Sequence, residues 1–440
     1  MAGGQAAGAP RPGAHLRLPA GAAAATAGRG AEVTDEAPPS PAPRLRPLDV
    51  RLFGQGAQAV YYLRDPLGLA PEDTFLPAWL GPLLALMDGS RDLRQLQVAF
   101  QLLTGLYLPL PRLQELVREL DARLLLEGPQ LEAALRRALD EYRSAPHRAP
   151  ALAGKVYPAD PEELSRTLAD YCARAGPPPP LPAGAQVAGV VSPHIDYGRG
   201  WRTYALTWQA AAEACRRAEV AVVFGTDHGG SPGRLTLTRQ SYATPFGVLP
   251  TDAGAVAALA EALGEEAAFA EELHHRGEHS VELPLVWLHY LRGGEPLPVV
   301  PVLCGGLLQA DAGARERMEA ALEALARRLE GRRALVVAGA DLAHVGPAFG
   351  DPAPYDLGAR ARLRAADARL LAAIEAADAD AFLQAVAADG DRYRICGLSP
   401  LCLALRLLRG CRGQVVAYDQ CPADPEGGSL VSVAGAVLWR

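Results

Sequence analysis

Three histidines of this 440-residue chain follow apolar runs in the same way. Val191-Ser192-Pro193-His194, Phe224-Gly225-Thr226-Asp227-His228 and Gly339-Ala340-Asp341-Leu342-Ala343-His344 each lead from a hydrophobic stretch to an imidazole, two of them with a carboxylate alongside. One such histidine is ordinarily a structural hydrogen-bonding residue. Three at matching positions point to a shared site, because imidazole both binds metals and moves protons near neutral pH. A fourth segment, Glu278-His279-Ser280-Val281-Glu282, opens a helix. There His279 stands on the cap side and Glu282 one turn on, which fits capping and dipole compensation as well as it fits a site. In the fifth, Ile395-Cys396-Gly397, a cysteine precedes a helix. That setting lowers a thiol pKa and favours the metal-binding thiolate, although a lone cysteine is equally well read as a small buried hydrophobe.

These residues need elements to hold them. From Ala185 onward, apolar runs predict strands over Val187–Ser192, Val220–Gly225, Leu235–Thr238, Val299–Leu303, Ala334–Ala338, Gln414–Tyr418 and Leu430–Val437. Amphipathic spacing predicts helices over Ala255–Leu263, Ser280–Leu291, Ala312–Leu329, Ala359–Ala376, Ala379–Ala387 and Pro400–Leu408. The alternation implies an α/β domain over 185–440, three-layered, with helices on both faces of a largely parallel sheet. Ligands of such folds gather at the carboxyl ends of the strands, where the histidines fall.

The region before it divides into three. Residues 1–46 are rich in Ala, Gly, Pro and Arg and are expected to be disordered, having too little apolar surface to offset ordering entropy. Residues 47–145 predict a small, mostly helical unit: a strand at Ala59–Leu63 and helices at Pro82–Met87, Leu93–Leu103 and Pro111–Leu124, with Ser90 as a cap. Short helices with a strand edge suggest a winged-helix-like arrangement. The stretch resembles PqqD-like recognition domains, which implies docking of a peptide or partner enzyme; acidic residues within Leu113–Glu127 weigh against DNA. Residues 146–184 hold a helix at Pro161–Ala175 and four prolines at 177–180, and read as a linker.

Composition narrows the partners. With 49% hydrophobic and 21% charged residues the chain is globular, and a net charge of −7 argues against nucleic acid as its main partner. No apolar run approaches the roughly 18 residues of a membrane span. Seven dispersed cysteines without CxxC pairing suit a reducing cytoplasm better than a disulfide framework. The GxGxxG, GxxxxGK and HExxH patterns are absent.

The ordered blocks PHIDY (193–197), GTDHGG (225–230), Thr244-Pro245, EHSVEL (278–283), Pro301–Gly305, AGADLAHVG (338–346), ICG (395–397) and YDQ with SVAGAV (418–437) resemble the Memo family. The resemblance covers about residues 185–440. It implies a fold similar to the LigB-type extradiol dioxygenases, which use non-haem iron. It also implies copper or iron held by His194, His228 and Cys396, with Asp341, His344 and His279 lining the same cleft in acid–base roles. The expected partners are a radical-SAM enzyme and an AMMECR-type protein, this chain being component B of that system.

The sequence departs from the family at Asp196, within PHIDY, at Asp227 ahead of the second histidine, and at Leu398 after Cys396-Gly397. The two added carboxylates suit a harder metal or a general base, or else salt bridges with Arg199, Arg202 or Arg392. Two functions stay open: a metal-dependent oxidoreductase, and a non-catalytic metal-binding or scaffold protein for the radical-SAM partner.

Overall fold

A computed structural model describes residues 42–440, so most of the extension expected to be disordered lies outside the described residues. The described chain forms two units, divided at Glu141/Tyr142.

In the first unit, strands β1 (Asp49–Phe53), β2 (Val60–Arg64) and β3 (Thr74–Pro77) make an antiparallel sheet in that order. Helices Gly81–Leu86, Leu93–Thr104 and Leu110–Ala122 follow. Leu63, Leu76, Leu83, Leu96, Phe100, Leu113 and Leu120 form its core. Two expectations need correction. Residues 42–46 are part of this unit: Arg46 is buried, its guanidinium on the Asp65 carboxylate at 2.7 Å, and its backbone N–H donates to Leu125 at 3.1 Å. The second helix is capped by Asp92 in a reciprocal box with Gln95, whereas Ser90 donates to Asp88.

The second unit is built on an eight-stranded sheet. Strands β4 (Val187–Ser192), β5 (Val220–Thr226), β6 (Leu235–Leu237), β9 (Val299–Cys304), β10 (Ala334–Gly339), β11 (His344–Val345), β12 (Arg412–Pro422) and β13 (Leu430–Trp439) belong to it, and β7 (Tyr242–Thr244) with β8 (Gly247–Leu249) forms a separate hairpin. The order is β11-β13-β4-β10-β5-β9-β6, with β12 beside β13. Only β4, β10, β5 and β9 run parallel; β13 and β6 pair antiparallel to the strands they flank. The sheet is therefore mixed. Strands β12 and β13 are antiparallel, as a short connection requires, and β13 lies antiparallel beside β4.

Alternation along the strands sorts side chains to two faces. Val220, Val222 and Phe224 join one core with helices Ala253–Leu263, Ala312–Leu329, Leu357–Glu375, Ala379–Ala388 and Leu398–Leu407. Ala221 and Val223 join the other with helices Pro161–Ala175, Tyr197–Ala210 and Glu282–Leu291. This is a three-layered αβα arrangement.

The expected linker is not a spacer. Leu164 and Leu168 are fully buried in the second core, and Arg148 pairs with Glu282 inside it. Upstream, Gln240 donates to the carbonyls of Tyr142, Arg143 and Ala145 at 2.6, 2.9 and 3.0 Å. Apolar residues on one face of Pro161–Ala175 need a covering layer, and helix Tyr197–Ala210 supplies it.

Candidate functional site

Parallel register aligns the strand ends: Gly339 lies opposite both Ser192 and Gly225, and Thr226 opposite Cys304. The segments that leave β4, β5 and β10 therefore emerge along one edge. Segment Glu278–Val281 packs down on that edge where two glycines allow it. A Cβ on Gly339 would sit 2.0 Å from the Ser280 carbonyl, and one on Gly225 would sit 2.5 Å from Ser280 Oγ. Ser280 Oγ in turn donates to the Thr226 carbonyl at 2.7 Å. Cys396 reaches the same place because Gly397 lies against the Ala340-Asp341 backbone, where a Cβ would meet the Asp341 oxygen at 2.3 Å.

His194 is 1% exposed and fully fixed. Its Nδ1 donates to the Gly339 carbonyl at 2.9 Å, which fixes the ring and turns Nε2 into the cleft. Nε2 stands 3.3 Å from Cys396 Sγ and 3.8 Å from Asp341 Oδ2. Asp341 is also the anchor of the loop, accepting the backbone N–H groups of His194 and Ile195 at 2.8 and 3.2 Å.

His228 and His279 share one carboxylate. Glu278 Oε2 is 3.0 Å from His228 Nδ1, and its Oε1 is 3.0 Å from His279 Nδ1. The two rings stack with centroids 4.9 Å apart, and His194 stands edge-on at 5.2 and 5.3 Å from them. Three imidazoles and one thiol thus converge. The ligand atoms of His194, His228 and Cys396 all lie within 4.8 Å of one another, as do those of His228, Glu278 and His279.

The electrostatics follow from this packing. Burial opposes charge on Cys396, but His194 and His344, with hydrogen bonds from His194 and His228, outweigh it and bring the thiol down to about 5. Burial likewise opposes the His194 cation, yet Asp341 and Cys396 lift it to about 9. Glu278, buried but facing two imidazoles, is held well below the usual carboxylate range. Cys402 and Cys421 contrast with this: burial pushes each up to about 12.

The remaining sequence candidates fall around this centre. Asp341 lies behind His194. His344 stands further off, its ring edge-on to Phe349 at 5.1 Å and its Nδ1 3.2 Å from the Leu342 carbonyl, and it bears on Cys396 through its field. Neither His279 nor Glu282 caps a helix by its side chain: helix Glu282–Leu291 begins after Val281, and the Glu282 carboxylate is buried in an ion pair. Asp196 caps helix Tyr197–Ala210 by accepting from the Arg199 N–H at 3.0 Å and pairs with the Arg199 side chain.

Asp227 has a partner that spacing did not suggest. His274 Nδ1 meets its two oxygens at 2.9 and 3.0 Å, while neighbouring Glu271 accepts from the Ser231 N–H and hydroxyl. These contacts brace the loop after β5 and use the groups that would otherwise be ligands. Sequence reasoning also missed Glu278. Its adjacency to His279 was the available signal, since a carboxylate that orients imidazoles is the usual companion of a histidine site.

An αβα domain with imidazoles and a thiol gathered at the strand ends is the class of protein that fold and site define. Residues 148–437 match the model of the family described as Memo-like protein. The chain belongs to the Memo family. It is 30% identical over 307 residues to a MEMO1 family protein of Methanopyrus kandleri, covering 67% of this chain and 99% of that one. A relative from Thermus thermophilus is 30% identical over 354 residues, 80% of this chain and 99% of its own. Another, from Aquifex aeolicus, is 26% identical over 403 residues, 90% of this chain and all of its own. That last alignment is longer than residues 148–437 and so runs into the first unit.

Proposed function

We propose that the cleft binds copper or iron through His194, His228 and Cys396. The observation that carries this reading is the convergence of their three ligand atoms within 4.8 Å at the carboxyl edge of the sheet. The donor set fits. Two imidazoles and a ready thiolate suit Cu(I), and two imidazoles with a nearby carboxylate suit Fe(II). A metal held there supplies Lewis acidity or a one-electron couple. The chain's own groups do the rest. The Gly339 carbonyl takes the His194 Nδ1 proton and so turns Nε2 toward the cleft, and Asp341 holds the His194 loop. His279, its Nδ1 3.0 Å from Glu278 Oε1, holds or moves a proton beside the cleft, with His344 and Asp341 as further acid–base groups.

The side chains of His228 and His279 are 40% and 37% exposed, which favours an open site and hence a metal-dependent enzyme of oxidoreductase type. A non-catalytic metal-binding or scaffold role is the second reading, supported by the first unit. There Val50, Leu52 and Phe53 on the edge strand β1 are exposed, an apolar edge suited to docking. We infer that this unit is winged-helix-like, in the manner of PqqD, and docks a radical-SAM enzyme acting with an AMMECR-type protein. Among the described residues no helix is long and apolar enough to cross a membrane. The seven unpaired cysteines support a cytoplasmic setting.

Elemental analysis of protein purified without chelators tests the site. His194→Ala, His228→Ala and Cys396→Ser are each expected to abolish stoichiometric metal with the fold retained. Full metal content in the triple variant would sink the assignment.

A further inference from the structure

Arg148 lies outside the cleft, yet its side chain reaches three successive points on the segment that carries Glu278 and His279. Its Nε donates to the His275 carbonyl at 2.8 Å, its Nη2 to the Glu278 carbonyl at 2.9 Å, and its Nη1 to the Glu282 carboxylate. The guanidinium also lies over the Tyr242 ring, 4.9 Å from its centroid. The Arg148 backbone is stitched to the chain on either side of Tyr242, donating to the Ser241 carbonyl at 2.8 Å and accepting from the Ala243 N–H at 3.0 Å. Glu282 is equally committed: it accepts from the Ala151 and Leu152 N–H groups at 2.9 Å each and from the Tyr157 hydroxyl. Both side chains are buried, at 0% and 1% exposure.

We propose that Arg148 is a positioning residue of the metal cleft, its guanidinium fork fixing the Glu278 backbone and so the two imidazoles that the Glu278 carboxylate orients. This rests on the metal-binding reading above. Glu278 holds His228 and His279 by its side chain, but its main chain lies in a short irregular stretch between Arg276 and Glu282. There the His274 carbonyl holds the Glu278 N–H at 3.0 Å, and Arg148 Nη2 holds the Glu278 carbonyl. A planar fork with donors in fixed directions can span His275, Glu278 and Glu282 at once, whereas an ammonium is a single point charge. Residues 148–157 therefore belong to the cleft's support and not to a linker, in keeping with a Memo match that begins at residue 148.

The test compares wild type with Arg148→Lys, and with the neutral pair Arg148→Gln/Glu282→Gln in case the first does not fold. Each is titrated with Cu(I) and Fe(II), and the metal-free proteins are read by imidazole nitrogen NMR. The expected result is a folded variant with metal affinity lowered about 10- to 100-fold, the range for losing a group that orients a ligand. In the same variant the imidazole nitrogen signals of His228 and His279 would lose the shift that the contact of each Nδ1 with Glu278 imposes. A purely structural role lowers the melting temperature and leaves affinity and these signals unchanged, which would overturn the proposal, as would failure of both variants to fold. If wild type binds neither metal, the metal-binding reading fails by itself, and the nitrogen signals still decide whether Arg148 positions the imidazoles.

Discussion

Glu278 Oε2 lies 3.0 Å from His228 Nδ1, close enough to accept its proton in a hydrogen bond and hold the ring in place. His228 is held well above the ordinary imidazole range: burial opposes its charge, and Glu278 and Cys396 outweigh that cost. Glu278→Gln keeps the shape and removes the charge. Metal affinity is expected to fall about 10- to 100-fold in calorimetric titration, and the His228 pKa to fall in NMR titration. An unchanged affinity would separate Glu278 from the cleft.

Cys396 should react as a thiolate. With its pKa near 5, metal-free protein is expected to alkylate at Cys396 at a rate nearly flat between pH 6 and 8. An ordinary thiol slows about tenfold for each unit below its pKa. Mass spectrometry at several pH values reads this, and a rate that drops steeply on going from pH 8 to 6 would contradict it. Cys396→Ser should abolish the labelling.

Asp367 makes a separate prediction about stability. It is buried and accepts from the Tyr418 hydroxyl at 2.8 Å, and burial pushes its carboxyl up to about 6. Its folded pKa lies above its unfolded value, so the folded state binds more protons between about pH 4 and 6. Stability must therefore fall as pH rises through that window. Asp367→Asn is expected to remove this slope and to stabilise the protein at pH 7 by up to about 3 kcal/mol. Urea denaturation at pH 4, 5, 6 and 7 provides the comparison.

Gly397→Ala probes the close approach beneath Cys396. The added methyl would meet the Asp341 carbonyl at 2.3 Å, and that backbone has little room to yield. The expected cost is about 1–3 kcal/mol, as for other overpacked sites, with loss of metal binding as Cys396 shifts. Wild-type affinity in the variant would mean that the loop tolerates displacement.

A deletion should respect the contacts that Gln240 makes. Removal of residues 1–141 is expected to leave the second unit folded by circular dichroism and to remove binding to a radical-SAM partner. Retained co-purification would place the docking surface elsewhere. A cut four residues later would take away the carbonyls of Tyr142, Arg143 and Ala145 that Gln240 binds.

The parts legible in sequence are those with a period. Strand β4, buried on both faces, ends where its apolar run ends, and helix Ala312–Leu329 ends where its stripe ends because it has one face to bury. Helix Tyr197–Ala210 was not legible. It is buried all round in its second half, and Gly198, Gly200, Thr203 and Thr207 lower its intrinsic preference. The site divides in the same way. His194 and His228 announce themselves at strand ends, and Cys396 needed the family blocks. Pairings such as Asp227 with His274 or Arg148 with Glu282 join residues far apart in the chain, and no local spacing encodes them.

The position of β13 has a consequence for how the molecule comes into being. Val191 of the first strand of the large sheet lies opposite Ala436 of the last, and β13 also holds β11, which begins with His344. A nascent chain halted before Leu430 leaves β4 with an unpaired edge beside the His194 segment. The cleft therefore cannot be finished during synthesis from the front, and its completion waits for the β12–β13 hairpin to dock along β4 and β11, segments made long before it.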